Sequence, residues 1–389
     1  MSAPESLDAR GTESPSGHSV APSNSDGAST PLGYQPSLDG LRGVAVLAVM
    51  TYHSGLIRGG FLGVDMFFTL SGFLITRLLL QERAATGAIN LKGFYVRRAL
   101  RLLPALIVFL LLWTCFLLVT VPPEYWGIVG GYVAAVLFDV ANWAGIHGLP
   151  MGIFGHTWSL AIEEQFYLIW PLAVAVLVGG LRRPRLIACL LALAAVVSFA
   201  WRLHLAVGGA TERRIYWATD AHADGLLIGA DLAFLLAGGG RLTRAGSVAS
   251  AMAFAAVVGL LGLLAAVPFN PSYAYGMSAL VALATSALIL EVGRPGSRVA
   301  RLLEARWLVW ADRISYALYL WHFPIFSQFG VLNLPGHLPS PLPGLLADRG
   351  CRSRGASTRP KLVAPTGVAA VGANVRRRLH LATSRCARA

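Results

Sequence analysis

Residues 102–121 read LLPALIVFLLLWTCFLLVTV, a run without one charged side chain. A bilayer's hydrocarbon core is about 30 Å thick and is crossed by about 20 such residues in helical form. Working outward, comparable runs fall at 41–57, 62–80, 128–147, 158–179, 185–206, 223–239, 248–268, 274–292 and 307–330. With 102–121 they make ten candidate spans and predict an all-α, polytopic transmembrane helix bundle. The composition agrees, at 55% hydrophobic and 13% charged. Soluble domains carry about 25% charged residues, so a soluble chain of this make-up could not cover its surface.

The formal net charge is +13. The segment from Asp348 onward holds ten Arg or Lys side chains against one acid, and so carries +9 of it. The remaining basic residues sit between apolar runs, where membrane topology explains them and a nucleic-acid partner is not needed. Four cysteines show no CxxC or Cys/His spacing, so neither a metal site nor a disulfide framework is expected. Three regions result. Residues 1–36 are a Ser-, Pro- and Gly-rich leader without a signal-peptide core, expected to be disordered. Residues 37–331 form the membrane domain. Residues 332–389 are an irregular basic tail, read either as disordered or as the product of an altered reading frame that replaced a final span.

Positive-inside counting orients the bundle. Arg77, Arg83, Lys92, Arg97, Arg98 and Arg101 place the 77–101 connection, and with it the N-terminus, in the cytoplasm. Arg182, Arg183 and Arg185, then Arg241 and Arg244, then Arg294, Arg298, Arg301 and Arg306 follow at two-span intervals. Between 101 and 181 three apolar runs join two cytoplasmic ends. One of them is therefore expected to be re-entrant or interfacial, either 128–147 with Asp139 and Asn142 or 158–179 with Glu163 and Glu164. Broken backbone at membrane depth must be enclosed by protein or line a cavity.

Several polar groups interrupt the apolar runs. Arg42 and His53 share a helix face about 16 Å apart along the axis, given about 1.5 Å of rise per residue. They are too distant to pair, and two separate jobs along one lumen fit better. Arg42 suits an anion, and His53 suits proton transfer at an alcohol. The plainer alternative is a snorkelling arginine and a packing histidine. Asp65 and Ser71 lie in GFLGVDMFFTLSGFLIT, residues 60–76, where Asp65 is either functional or a buried partner for Arg42. Arg97, Arg98 and Arg101 share a face at i, i+3 and i+4 spacings. Their guanidinium forks suit the phosphates of a nucleotide-type carrier, or they simply signal topology.

Further along, His156, Ser159, Glu163 and Tyr167 predict one polar stripe, with Glu163 and Glu164 as adjacent carboxylates that packing alone hardly explains. A helix lying in the membrane interface is the alternative. Asp220 and Asp224 are expected on one helix face, or in a solvated loop. Ser315, Tyr319 and His322 share a face at i, i+4 and i+7, although Tyr319 and Trp321 could equally belong to an aromatic belt.

Taken in order over residues 36–326, these segments resemble the acyltransferase-3 family of membrane O-acyltransferases. The carriers are Arg42 and His53 as an Arg-x10-His pattern, Arg98 and Arg101 as Arg-x-x-Arg, and the block from Gly63 through Asp65 to Ser71 and Phe73. The block from His156 to Tyr167, Asp220 with Asp224 and Gly225, and Ser315 through Tyr319 to His322 and Pro324 complete the set. The resemblance implies transfer of an acyl group, often acetyl, from acyl-coenzyme A to a hydroxyl of a carbohydrate or glycolipid.

It implies catalytic roles for His53 as base and for Glu163 and Glu164. Donor binding is implied for Arg42, Arg97, Arg98 and Arg101. Asp65, Ser71, His156, Asp220, Asp224, Tyr319 and His322 would contact substrate or support the site. No metal or permanently bound cofactor is expected, only acyl-coenzyme A as a donor. The partners implied are the lipid bilayer and the acceptor sugar, in the plasma membrane. After residue 331 the sequence departs from the family pattern, with no further apolar span and no Glu-x-Pro ending in these residues, and no appended hydrolase-like domain is expected. A transporter using the same charges, or an inactive truncated relative, are the rival readings.

Overall fold

The structure, a computed structural model, describes residues 34–181, 183–238, 246–268 and 276–329. The expectations for the leader up to residue 33, for Arg182, Arg241 and Arg244, and for the tail from 330 fall outside these residues. Among the described residues there is no strand, and the all-α expectation holds. The helices are α1 (Pro36–His53), α2 (Gly63–Thr86), α3 (Leu91–Thr120), α4 (Trp126–Leu137), α5 (Ala141–Ile146), α6 (Trp158–Gly180) and α7 (Pro184–Val207). They continue as α8 (Glu212–Tyr216), α9 (Asp224–Ala237), α10 (Gly246–Ala266), α11 (Met277–Val292), α12 (Arg298–Leu303), α13 (Arg306–Arg313) and α14 (Ser315–Gln328).

Four helical stretches are long and apolar enough to cross a membrane: Gly60–Thr86, Leu91–Thr120, Gly152–Gly180 and Pro184–Val207. The first two differ in their surroundings. The most apolar window of the α2 stretch is 72% buried inside the protein, whereas that of α3 is only 22% buried. On α3, Ile107, Val108, Leu111, Leu112 and Val119 point outward, as a lipid-facing helix requires. On α2, Asp65, Thr69, Ser71 and Thr76 are buried among other helices.

Close helix approach explains why α2 sits centrally. A Cβ added at Gly229 of α9 would lie 2.0 Å from the Thr69 carbonyl oxygen, and one at Gly72 of α2 would lie 2.0 Å from that of Leu226. The two glycines therefore let the α2 and α9 backbones touch reciprocally. On its other side α1 packs against α2, α12, α13 and α14.

Among the described residues, two of the apolar runs are not single helices. Residues 307–330 break at Ile314 into α13 and α14. Residues 128–147 break at 138–140 into α4 and α5, with Asp139 at φ 53°. A left-handed backbone is tolerated better by Asp than by most side chains. The other candidate for an irregular segment, 158–179, is instead one continuous helix of 23 residues.

The break is held by polar groups from other elements. Gln165 Nε2 donates to the Asp139 carbonyl at 2.7 Å and to Asn142 Oδ1 at 3.0 Å. Asn142 Nδ2 donates to Thr219 Oγ1 at 2.9 Å and to the Trp217 carbonyl at 3.1 Å. Thr219 Oγ1 closes the ring by donating to Gln165 Oε1 at 2.5 Å. Irregular backbone thus finds its partners inside the protein, as an apolar environment demands.

Candidate functional site

The predicted polar residues gather at two levels along α1, with a third group standing apart. The first level is a histidine cluster where α1 ends. His53 is half-buried there, and its Nδ1 lies 3.1 Å from Nε2 of His322 on α14. His322 is buried behind it, with Nδ1 2.8 Å from the Tyr319 carbonyl and 3.1 Å from that of Leu318. His156, in the 3-10 turn before α6, stacks on Phe323 with ring centres 5.1 Å apart. The Tyr319 hydroxyl lies 2.5 Å from Ser159 Oγ, and both reach the His156 carbonyl, at 3.2 and 3.3 Å.

Sequence explains one contact of this cluster in full. Pro324 has no N–H, so the carbonyl four residues back, that of Leu320, loses its helical donor. His156 Nε2 supplies the replacement at 3.1 Å. The spacing of His322, Pro324 and Leu320 therefore joins α14 to the turn that leads into α6.

The second level is built from charges. Arg42 Nε donates to Asp312 of α13 at 2.9 Å, and its guanidinium sits 5.8 Å from the centre of the Phe67 ring. Arg98 forks onto Glu164, with Nε 2.8 Å from Oε2 and Nη2 on Oε1. Its guanidinium also lies 3.4 Å from the centre of the Tyr167 ring, a cation–π contact. Glu163 turns the other way and accepts from Ser71 of α2 and from the Tyr167 hydroxyl, the latter at 2.6 Å. The adjacent carboxylates thus diverge by one helical step and tie α6 to α2 and α3 separately. Ser159 and Glu163 stand one turn apart, about 6 Å along the axis, so α6 bridges the two levels.

Arg97 and Arg101 are exposed and take no part in these contacts. Among the described residues, Arg42 hydrogen-bonds only through Nε, so its terminal amino groups have N–H bonds to spare.

The third group corrects two expectations. Asp65 does not pair with Arg42. Its Oδ1 lies 2.8 Å from His222 Nε2, and His222 Nδ1 lies 2.7 Å from the Tyr216 carbonyl. Both side chains are buried, beneath the Trp158 ring. Asp220 and Asp224 do not share a helix face, because Asp220 belongs to a 3-10 turn and Asp224 begins α9. Asp220 takes Arg214 at 2.8 and 2.5 Å and Trp201 at 2.9 Å. Asp224 takes both amino groups of Arg202, at 3.0 and 2.8 Å, in a fully buried fork. It is not in a solvated loop.

Three partners were absent from the sequence reading: Asp312, His222 and Arg202. Arg202 carried a usable signal, since an arginine well inside an apolar helix needs a carboxylate. Asp312 and His222 carried none, because their partners lie 270 and 157 residues away.

The family described as "Acyltransferase domain" matches residues 35–347. The "Peptidoglycan O-acetyltransferase OatA" of Listeria monocytogenes is 34% identical over 317 residues, covering 76% of this chain and 50% of that protein. The "O-acetyltransferase OatA" of Staphylococcus aureus is 32% identical over 323 residues, covering 79% and 53%. The chain spans about half the length of these curated relatives. No solved structure matches.

Proposed function

The chain belongs to the acyltransferase-3 family of membrane O-acyltransferases, and from that premise we propose that it moves an acyl group, most simply acetyl, from acyl-coenzyme A to a carbohydrate hydroxyl. The multi-pass bundle would lie in the plasma membrane with its N-terminus in the cytoplasm, where the donor is made. One relative is named for peptidoglycan, which makes a cell-envelope glycan the first acceptor to try.

The observation that carries this reading is the half-buried His53 held by His322 at 3.1 Å. It stands on the same helix as an arginine whose terminal amino groups face no protein acceptor among the described residues. The exposed Arg97 and Arg101, with Arg42, would take the donor's phosphates. Arg98, already forked on Glu164, would hold α3 and α6 beside them.

The chemistry is direct. His53 takes the proton of the acceptor hydroxyl while its oxygen attacks the thioester carbonyl. The tetrahedral adduct collapses, the carbon–sulfur bond breaks, and the leaving thiolate takes the proton back from His53. An acyl ester and free coenzyme A result. Purified protein in membranes, given labelled acetyl-coenzyme A and a glycan acceptor, tests it. His53→Ala should lower turnover by about 10²–10⁴-fold, the usual worth of a general base. Turnover near the wild-type rate would remove His53 from that role.

A further inference from the structure

His322 is more than a neighbour of the base. Its Nδ1 lies 2.8 and 3.1 Å from two main-chain carbonyl oxygens. Carbonyls only accept, so Nδ1 must carry a proton. The remaining nitrogen, Nε2, faces His53 Nδ1 at 3.1 Å. One proton lies between the two rings, since two N–H groups pointed at each other make no hydrogen bond.

That proton could sit on either ring. If it sat on His322, that ring would be an imidazolium at 5% exposure. Among the described residues its only hydrogen-bond partners would be the two carbonyls and His53, with no carboxylate in contact. Around it stand the rings of His156, Tyr319, Phe323 and Phe326. An unpaired buried charge is costly, so a neutral His322 with its lone pair on Nε2 is favoured. His53 Nδ1 then donates, and a neutral His53 keeps its basic lone pair on Nε2.

We propose that His322 is a positioning residue. It fixes His53 as the Nδ1–H tautomer and so places the base's lone pair on Nε2, while its own tautomer is fixed by the Leu318 and Tyr319 carbonyls. This rests on the reading of His53 as base. The same contact serves the reaction's second half: once His53 has taken the hydroxyl proton, its Nδ1–H still rests on His322 Nε2. Removing His322 removes the acceptor that holds the proton on His53 Nδ1, which lets the imidazole shift towards the Nε2–H form with its lone pair on the wrong nitrogen.

Two measurements test this. Nitrogen-15 NMR of histidine-labelled full-length protein in membranes, with the His53 signals assigned by difference against His53→Ala, reads the tautomer directly. Wild type should show protonated Nδ1 and unprotonated Nε2, and His322→Ala should shift His53 towards Nε2–H. Kinetically, His322→Ala should lower kcat by about 10²–10³-fold with KM for donor and acceptor unchanged. This is less than the roughly 10⁴-fold lost when the anionic group that fixes a catalytic histidine is removed. His322→Gln, whose amide oxygen can occupy the Nε2 position and accept from His53, should recover activity to within about tenfold of wild type.

An Nε2–H tautomer in wild type overturns the proposal without recourse to any variant. So does full kcat in His322→Ala while His53→Ala is dead, which leaves the acyl-transfer reading standing. If His53→Ala itself turns over normally, the base assignment falls and takes this inference with it.

Discussion

The two polar levels along α1 solve the burial problem in opposite ways. At the charged level, Arg42 meets Asp312 and Arg98 meets Glu164, while Glu163 is capped by two hydroxyls. At the histidine level, three imidazoles and a tyrosine meet, and among the described residues no carboxylate is in hydrogen-bond contact with His322 or His156. Paired charges hold helices together and have little freedom to titrate. Neutral imidazoles can gain and lose a proton without breaking an ion pair. The difference separates a part that ties helices together from a part that can carry a proton.

Variants should therefore split cleanly between loss of activity and loss of stability. The largest stability effect belongs to the framework. Arg202→Met would strand Asp224 in a site where both partners are at most 1% exposed. It should cost about 3–5 kcal/mol, read as a collapse in the melting temperature of detergent-solubilised protein. A melting temperature within the error of wild type would mean that paired charge is not what holds α7 to α9.

His53→Ala should do the reverse, with a melting temperature close to wild type and the loss of turnover given above. A matching loss of folded protein would erase the contrast. Glu164→Gln at the charged level is intermediate. Both partners are about one-fifth exposed, so about 1–2 kcal/mol is expected, discounted from the fully buried figure for solvent screening. Turnover should stay within about tenfold of wild type. A larger loss of kcat would give Glu164 a direct part in the reaction.

The smallest effect is at Asp220. Burial alone would raise its carboxyl, but the hydrogen bonds from Arg214 and Trp201 outweigh it and hold the group below the usual carboxylate range. A depressed folded value means the stabilising contribution is present above the unfolded value of about 3.9 and is lost as pH falls below it. With Asp220 well exposed, about 0.2–0.5 kcal/mol is at stake. Melting curves of wild type and Asp220→Asn should converge below about pH 4 and separate above it.

Much of the architecture was legible because burial in lipid leaves a coarse signature. The run at 102–121 lies within a single 30-residue helix, α3, and Ser159, Glu163 and Tyr167 lie on α6, while His156 of the same expected stripe falls in the 3-10 turn before it. Of the two runs expected to hold a re-entrant or interfacial segment, 128–147 is the one whose helix breaks, at the left-handed Asp139, and 158–179 stays continuous. The failures have a common cause. Asp220 and Asp224 were placed on one face by applying a helical period to residues where the helix had not yet begun. Asp65 is matched by the sequence to Arg42, the arginine inside the preceding apolar run, whereas its partner His222 arrives from the turn before α9. Within one helix, spacing predicts which side chains are neighbours. Which neighbour crosses from another helix depends on how the helices pack, and no spacing records that.

The proline in α14 also bears on the order of assembly. The turn around Leu320 is completed by an imidazole 164 residues upstream, already synthesised when α14 leaves the ribosome. The late helix therefore cannot satisfy its own backbone in isolation and must dock into a socket made by earlier ones. The meeting of His53 with His322 therefore waits on the synthesis and docking of α14.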